Sequence, residues 1–579
     1  MRVTKATVLL VLIVSLALFL RVYKLADIPN GLKHDESAIG YNAYAILTTG
    51  KDEYGTAYPV YFKSFGDQKL PVYIYLTALS VAAFGLNEFA VRFPSAILGS
   101  LTVLLLYFVV KRLSNNTPLA LVSAFLLAMT PWHILFSRAA FETNAALAFV
   151  VFSVWLFLVG VHTKKGRYFF LSISGFVLAL YSYNVTRLLS PALLTGLLVL
   201  HWKPVKQLPR KTLVSLGIFG FLGLLPFLLT FFSAGGASSA QHALLTSTDI
   251  QAKNLEMRSY LAESASVIGK VFFNNYVFLG WQYLENLVSV FSPDFLFISG
   301  RAAGSRWVGE MGQLYLFQFP LILLGLVWML KEQRQRLSFF LLWTVVTILI
   351  LSLSKEVPHA TRGYFLLIPL TVFAAQGFLL LGAWLRKLRH SRVRVLVALL
   401  ITGLCLYNLV YYFSAFYGRF PRKYAKDWNQ QDKALALFLK ENEEKYDAIL
   451  IDNSAGFMYT SLLFYTAYDP NAFQQFAKRA PDDAEGFSRV SAIGKYQWQE
   501  IQWKRDLKRK KTLIVTGFNK APAAARVVKR FRYPQVPIVL SVKEQIAQYP
   551  FQEEAYVLVA TPEKAAPPVR SQPLPAVGR

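Results

Sequence analysis

The sequence predicts an α-helical polytopic membrane protein, with about eleven transmembrane helices and a C-terminal extracytoplasmic α/β domain, on three observations. The 579 residues are 55% hydrophobic and 15% aromatic, and the mean hydropathy is +0.39; both exceed ordinary soluble usage. Apolar runs long enough to cross about 30 Å of hydrocarbon recur along most of the chain. Beyond residue 415 the pattern changes, and short strand-like and helix-like segments alternate.

The apolar runs lie near residues 4–21, 91–110, 118–136, 144–162, 168–184, 188–201, 211–232, 312–330, 336–353, 363–385 and 393–413. The first, Ala6 to Leu20, follows Arg2 and Lys5 and has no small-residue cleavage site after it, so it reads as a retained span. Pro71 to Gly85 is only marginally long enough to span, and counting it would reverse everything that follows. With the N-terminus inside and this stretch not spanning, five basic clusters fall on the cytoplasmic side: Lys111-Arg112, 164–167, 203–211, 331–336 and 386–394. The stretch then reads as an amphipathic helix in the outer interface.

This bookkeeping gives a membrane domain over 1–415 with outer loops at about 22–90 and 233–311. An extracytoplasmic α/β domain over 416–565 follows. Within it, 432–445 reads as an amphipathic helix, and 446–454, 511–517, 537–541 and 555–560 read as strands, whereas 417–431 shows no clear helical period. The Pro-rich end, 566–579, is expected to be disordered.

Lys+Arg 61 against Asp+Glu 33 leaves a formal charge of +28. Basic residues gathered in cytoplasmic loops account for it, and no nucleic-acid motif accompanies the charge, so no nucleic-acid partner is expected. The single cysteine, Cys405, excludes an intramolecular disulfide. Glycine-rich nucleotide loops and a Walker motif are missing, which argues against a nucleotide-sugar donor bound inside the cell and against an ATP-driven pump.

The ionisable residues gather at the outer ends of the spans: His34-Asp35-Glu36, Asp67 to Pro71, Glu88 with Arg92, His133 to Glu142, Tyr183 to Arg187, and His359 with Arg362. Charges at membrane depth are costly and point to function. Taken singly, such residues also serve as snorkelling side chains at the interface. The adjacent carboxylates Asp35 and Glu36 fit a general base with a positioning partner, and equally an acidic pair capping a helix over 35–48. His34, His133, His359, Asp35 and Glu142 leave a divalent metal open, although no close-spaced ligand pair occurs.

HDESAIGYNAYAILTTGKDEYG from His34, KLP at 69–71 and FGLNEFAVRFPSAILG at 84–99 resemble the first outer loop and second span of the GT-C glycosyltransferases. The likeness is nearest to the protein O-mannosyltransferase and aminoarabinose-lipid A transferase group. PWHILFSRAAFETN at 131–144, YSYNVTRLLSP at 181–191 and VPHATRGYFLLIP at 357–369 fall where those enzymes carry similar segments, and the resemblance covers most of 1–415. It implies that Asp35 is the catalytic base, that Glu142 is a second acidic residue where many relatives have Asp, and that the sugar is inverted. No family function is implied for the C-terminal domain.

The chemistry of such a transfer fits these residues. A hydroxyl acceptor must lose its proton while attacking the anomeric carbon, which a carboxylate can accept. The departing phosphate needs preorganised cations, and Lys69, Arg138, His359 and Arg362 are available. The expected site therefore contains Asp35, Glu36 and Glu142 as catalytic residues, with Lys69, Arg138, Tyr183, Arg187, His359 and Arg362 binding substrate. Its expected partners are a polyprenyl-phosphate sugar donor, a hydroxyl-bearing acceptor and membrane lipids, at a multi-pass site on the extracytoplasmic face of the cell membrane. The rival reading is a lipid-linked-sugar transporter or flippase, which should place its charges near the midplane and show inverted repeats. Here the mid-span positions are apolar.

Overall fold

The computed structural model describes residues 4–231, 274–300 and 311–561 except 66, 333, 482–488, 518–519, 524 and 543–544, together with 309 and fragments of 244–260. Most of the expected second loop, 233–311, and the expected disordered end lie outside the described residues.

The amino-terminal part is a helical bundle: α1 (Lys5–Val22), α2 (His34–Thr49), α3 (Pro71–Phe84), α4 (Glu88–Ser114), α5 (Thr117–Met129), α6 (Pro131–Arg138), α7 (Glu142–Thr163), α8 (Gly166–Leu180), α9 (Thr186–Leu200), α10 (Trp202–Val205) and α11 (Arg210–Phe231). Further helices cover Asn275–Ser289, Gln318–Glu332, Arg334–Leu351, Leu367–Lys387 and Ser391–Ser414. Their ends follow local chemistry. The Asn87 side chain accepts the Ala90 N–H at the start of α4, and α2 stops at Gly50, whose φ of 69° is left-handed.

Each of the eleven expected apolar stretches contains a helix, but not all reach across a bilayer. Among the described residues six helices are long and apolar enough, or seven if a bent pair is one span. That pair is α5 with α6, which meet at 58°. Pro131 opens α6 at a position where a proline lacking its N–H is tolerated only as a new helix start. The stretches expected at 168–184, 188–201, 312–330 and 336–353 give helices below 18 residues in their apolar part, so the count of eleven full spans is not what the structure displays. The 71–85 stretch is helical over 14 residues, about 21 Å at 1.5 Å per residue. It is not amphipathic as expected: Tyr73, Ile74 and Val81 are buried, yet its exposed positions include Leu79 and Phe84.

The expected loop 22–90 is folded. Besides α2 and α3 it holds a small antiparallel hairpin, β1 (Phe62–Ser64) and β2 (Asp67–Lys69), in which Phe62 faces Lys69. The preceding turn, 29–33, is clasped by residues from the far end of the chain. Asn30 Nδ2 donates to the Pro421 carbonyl, and Asn429 Nδ2 donates to the Leu32 carbonyl at 3.1 Å. Gly31, at φ 85°, lies so close to the Trp428 carbonyl that any side chain would collide with it.

The C-terminal region is built on a seven-stranded sheet. It comprises β3 (Ala448–Asp452), β4 (Lys478–Arg479), β5 (Val490–Ile493), β6 (Tyr496–Gln499), β7 (Thr512–Thr516), β8 (Val527–Arg532) and β11 (Glu554–Ala560), in the order β4-β5-β6-β3-β7-β11-β8. The central strand β3 runs parallel to β6 and β7. Alternate residues enter two different cores: Ile449 and Ile451 pack with Leu435 and Leu439 of the helix Asp432–Asn442, whereas Leu450 packs with Ile514 and Val557. Four of these elements match the expected helix and three of the expected strands. The fourth expected strand, 537–541, pairs instead within a separate hairpin, β9 (Val536–Val542) with β10 (Gln545–Phe551).

Candidate functional site

Asp35 lies in the first turn of α2 and Lys69 ends β2, and the two side chains form an ion pair, Nζ to Oδ1 2.5 Å. Lys69 is almost fully buried in making it, while Asp35 remains 38% exposed. The open side of this pair faces a polar cavity of about 240 Å³. Glu142, the first residue of α7, lies on its wall, as do Tyr183 and Asn184 from the turn between α8 and α9, and His359, Thr361 and Arg362 from the loop after Arg334–Leu351. Five stretches scattered over more than 300 residues thus contribute to one small polar chamber.

Hydrogen bonds to backbone carbonyls hold these stretches in place. The Val72 N–H donates to the Tyr181 carbonyl at 3.3 Å, tying α3 to the α8–α9 turn. The Thr143 hydroxyl donates to the Thr361 carbonyl at 3.0 Å, and the Trp132 indole donates to the Ala360 carbonyl at 3.2 Å. The imidazole of His359 is fixed from two sides: its Nδ1 lies 2.9 Å from the Thr361 hydroxyl, and it accepts the Arg362 N–H at 3.4 Å. That arrangement leaves the proton on Nε2, which is 3.9 Å from Glu356. The Nη1 of Arg362 is buried and has no hydrogen-bond partner among the described residues. Arg362 as a residue lines the cavity and brings a positive charge to its wall.

Six of the nine expected site residues share this cavity: Asp35, Lys69, Glu142, Tyr183, His359 and Arg362. Three do not line it. Glu36 is 1% exposed, and both of its oxygens are occupied. Oε1 accepts from Arg92 Nε at 3.0 Å and the Ala140 N–H at 2.9 Å; Oε2 accepts from Arg92 Nη2 and the Lys33 N–H, each at 3.1 Å. The Lys33 bond, made by Glu36, is the capping geometry that the acidic pair allowed. A carboxylate filled by four donors has no room to take a substrate proton, so Glu36 is corrected from a catalytic to a structural position. Arg138 is likewise corrected. Fully buried, it donates to the carbonyls of Leu20, Lys24 and Ile28 and closes the carboxyl end of α1. Arg187 donates to the Tyr61 hydroxyl at 3.1 Å and stacks on Tyr61 and Phe227.

Gln68, Ser182, Asn184 and Thr361 also line the cavity. Gln68, Asn184 and Thr361 lie within segments that the charged residues marked and Ser182 directly precedes one, but a neutral side chain adds no charge signal of its own. Of the histidines weighed for a metal, His34 is mostly buried beside Asn429, and burial lowers its pKa to about 4. His133 meets the Arg21 guanidinium instead of the cavity. Among the described residues no three His, Cys, Asp or Glu side chains come together to hold a metal ion.

Comparison with known proteins gives the site a context. Residues 68–229 match the model of the dolichyl-phosphate-mannose-protein mannosyltransferase family. YkcB of Bacillus subtilis, which carries a provisional mannosyltransferase name, is 26% identical over 148 residues, 26% of this chain and 20% of YkcB. The chain therefore matches only about a fifth of that relative's length. The crystal structure of ArnT from Cupriavidus metallidurans in the apo state superposes with a TM-score of 0.54 at 14% identity, covering 97% of this chain and 100% of ArnT. The same protein bound to undecaprenyl phosphate gives a TM-score of 0.52 at 14% identity, over 95% and 97% of the two chains. The chain thus has the fold of ArnT along nearly its whole length, and it bears the resemblance to GT-C glycosyltransferases that its motifs suggested.

Proposed function

We propose that the protein is an inverting GT-C glycosyltransferase that moves a sugar from a polyprenyl-phosphate donor to a hydroxyl acceptor at the extracytoplasmic face of the cell membrane. One observation carries the reading: a partly exposed carboxylate, Asp35, shares a small polar cavity with the cations Lys69 and Arg362. Transfer from a sugar phosphate needs a proton acceptor beside the attacking hydroxyl and positive charge beside the departing phosphate, and this pairing supplies both.

In this reading the acceptor hydroxyl approaches Asp35, which takes its proton as the oxygen attacks the anomeric carbon. The bond from that carbon to the phosphate oxygen breaks, and the polyprenyl phosphate leaves with the electron pair. Arg362, on the cavity wall, offers its guanidinium to a phosphate oxygen. Lys69, whose ammonium carries three donors, spans the carboxylate and the phosphate and keeps both halves of the reaction in register. His359 lines the same cavity. Glu142 orients the acceptor or the sugar hydroxyls, with Tyr183 and Asn184 as further polar contacts. A single displacement with one base inverts the anomeric centre. ArnT, whose fold the chain shares, was solved with undecaprenyl phosphate, which supports a lipid phosphate as the leaving group.

The test is to incubate purified protein with radiolabelled polyprenyl-phosphate sugars and score which label leaves the lipid. Arg362→Ala should raise the donor KM at least tenfold while leaving acceptor dependence nearly unchanged, the scale of one charge-assisted hydrogen bond lost. Label that stays on the lipid but crosses the bilayer would replace the transferase with a flippase. The orientation has its own test: after Cys405→Ser, a cysteine placed in the C-terminal sheet region should react with an impermeant maleimide in intact cells. Protection until lysis would sink the extracytoplasmic site.

A further inference from the structure

Lys69 owes its position to a very small element. The hairpin β1–β2 has three residues in each strand, and a two-stranded hairpin of that size is marginal on its own. Its turn residue Phe65 has a φ of 22°, a conformation that a non-glycine residue keeps only when its surroundings impose it. The Phe65 ring lies 5.0 Å below the Lys69 ammonium and edge-on to His34, next to Asp35. Phe65 therefore helps to place the cation of the site, together with the Asp35 carboxylate.

The fixing group comes from the C-terminal sheet region. Tyr459, in the helix Tyr459–Tyr465, is 5% exposed, and its hydroxyl accepts the Phe65 N–H at 3.1 Å. The same hydroxyl donates to Glu53 Oε1 at 2.8 Å. Glu53 is fully buried, and its other oxygen accepts from Asn42 Nδ2 at 3.2 Å. Asn42 belongs to α2, the helix that carries Asp35, and its Oδ1 accepts the Glu53 N–H at 3.0 Å. One hydroxyl thus joins the hairpin bearing Lys69 to the helix bearing Asp35.

The surrounding contact is close enough to transmit that placement. The Ser37 hydroxyl donates to Thr460 Oγ1 at 3.1 Å, and the Tyr41 hydroxyl donates to the Tyr468 carbonyl at 3.2 Å. Gly40 of α2 packs so tightly on the Phe464 ring that a methyl group there would overlap it. Arg479 donates to the Glu53 carbonyl at 2.7 Å and stacks 3.6 Å over the Tyr54 ring.

We propose that the C-terminal sheet region is part of the catalytic unit, and that Tyr459 is a positioning residue whose hydroxyl sets the β1–β2 hairpin and, through it, the Lys69 ammonium. The inference rests on the reading that Lys69 serves the donor phosphate. Loss of the hydroxyl leaves the Phe65 N–H and the Glu53 carboxylate without their shared partner, releases the hairpin turn and lets the ammonium drift from the phosphate. The ring of Tyr459, stacked on Phe473, stays in place when only the hydroxyl is removed.

A double-mutant cycle on the full-length protein tests this. Tyr459→Phe should lower kcat/KM for the donor about tenfold, the scale of one buried hydrogen bond, with most of the loss in donor KM. In the Lys69→Ala background the same change should cost less than about twofold, because the group it positions is gone. Equal losses in both backgrounds, or normal kinetics in Tyr459→Phe, would overturn the positioning role and leave Lys69 in the site. A Lys69→Ala enzyme with unchanged donor kinetics would overturn the reading of Lys69, and this inference with it. Should Tyr459→Phe not accumulate, Glu53→Gln serves in the same cycle. It sets an amide against the Asn42 donor and should give a smaller, about threefold loss that again vanishes without Lys69.

Discussion

Two carboxylates adjacent in the chain meet opposite fates. Asp35 and Glu36 each pair with a cation, Lys69 and Arg92, but the first pair opens on a cavity and the second lies behind its wall. On a helix successive side chains diverge by about 100°, so one residue step carries a carboxyl group from the chamber into the core. The lesson concerns exposure more than charge: 38% for the Asp35 side chain against 1% for Glu36. The outer pair keeps one side open to the cavity. The inner pair has every lone pair committed.

The comparison breaks first at Arg92. Its guanidinium donates to Glu36 and to the carbonyls of Leu25, Ala26, Pro29 and Gly31, so Arg92→Ala removes the partner of a buried carboxylate and of four carbonyls at once. Removing one member of a buried pair costs about 3–5 kcal/mol, and folded protein should largely disappear in size-exclusion chromatography. Accumulation at the normal level with normal activity would show that the inner pair is dispensable.

Asp35→Asn should do the reverse. Fold and expression should survive, and turnover should fall by about 10²-fold to 10⁴-fold, the range of general-base catalysis. Glu142→Gln should fall between that and the unaltered enzyme. Near-normal turnover in Asp35→Asn with collapse in Glu142→Gln would move the base to Glu142.

A third, milder effect depends on pH. Burial raises Glu53 to about 7 from 4.5, and Asp432 to about 7 from 3.8. A carboxyl group raised in this way contributes stability below its unfolded value and loses it as pH climbs through the folded one. The unfolding midpoint in detergent should therefore rise by a few degrees as pH falls from 8 to 6, and Glu53→Gln should flatten the slope. His34, lowered to about 4 from 6.5, has the opposite sign and withdraws stability only as pH falls below about 6.5. A midpoint that falls steadily between pH 8 and 6 would contradict the assignment.

The smallest effect belongs to Lys433, which bridges Glu88 at 2.8 Å with half its side chain in solvent. Lys433→Ala should change stability by less than about 1 kcal/mol. A larger loss would mean that this outer bridge behaves like the inner pair.

Much of this was legible in the sequence, for reasons that differ between elements. The apolar stretches, the central strand 448–452 and the clustering of charges at span ends follow from periodicity and cost, which a single chain displays. The division of labour within Asp35-Glu36 is not readable that way, because it depends on Arg92 fifty-six residues away. Arg138 looked like a substrate cation because its true partners are carbonyls, which every residue has. The short helices resembled spans because apolar composition continues past the point where the helix turns. Gln68, Asn184 and Thr361 needed the three-dimensional cavity to be noticed at all.

The clasp on residues 29–33 sets a timetable. Asn429 reaches Leu32 across 397 positions, so at roughly 5–20 residues per second the ribosome delivers the clasp some 20–80 s after the loop it closes. During that interval the α2 carboxylates exist without Trp428 against Gly31 and without Tyr459 on Glu53. A nascent chain stalled near residue 415 therefore holds Asp35 and Lys69 but not the contacts of Trp428, Asn429 and Tyr459 that brace the segments around them.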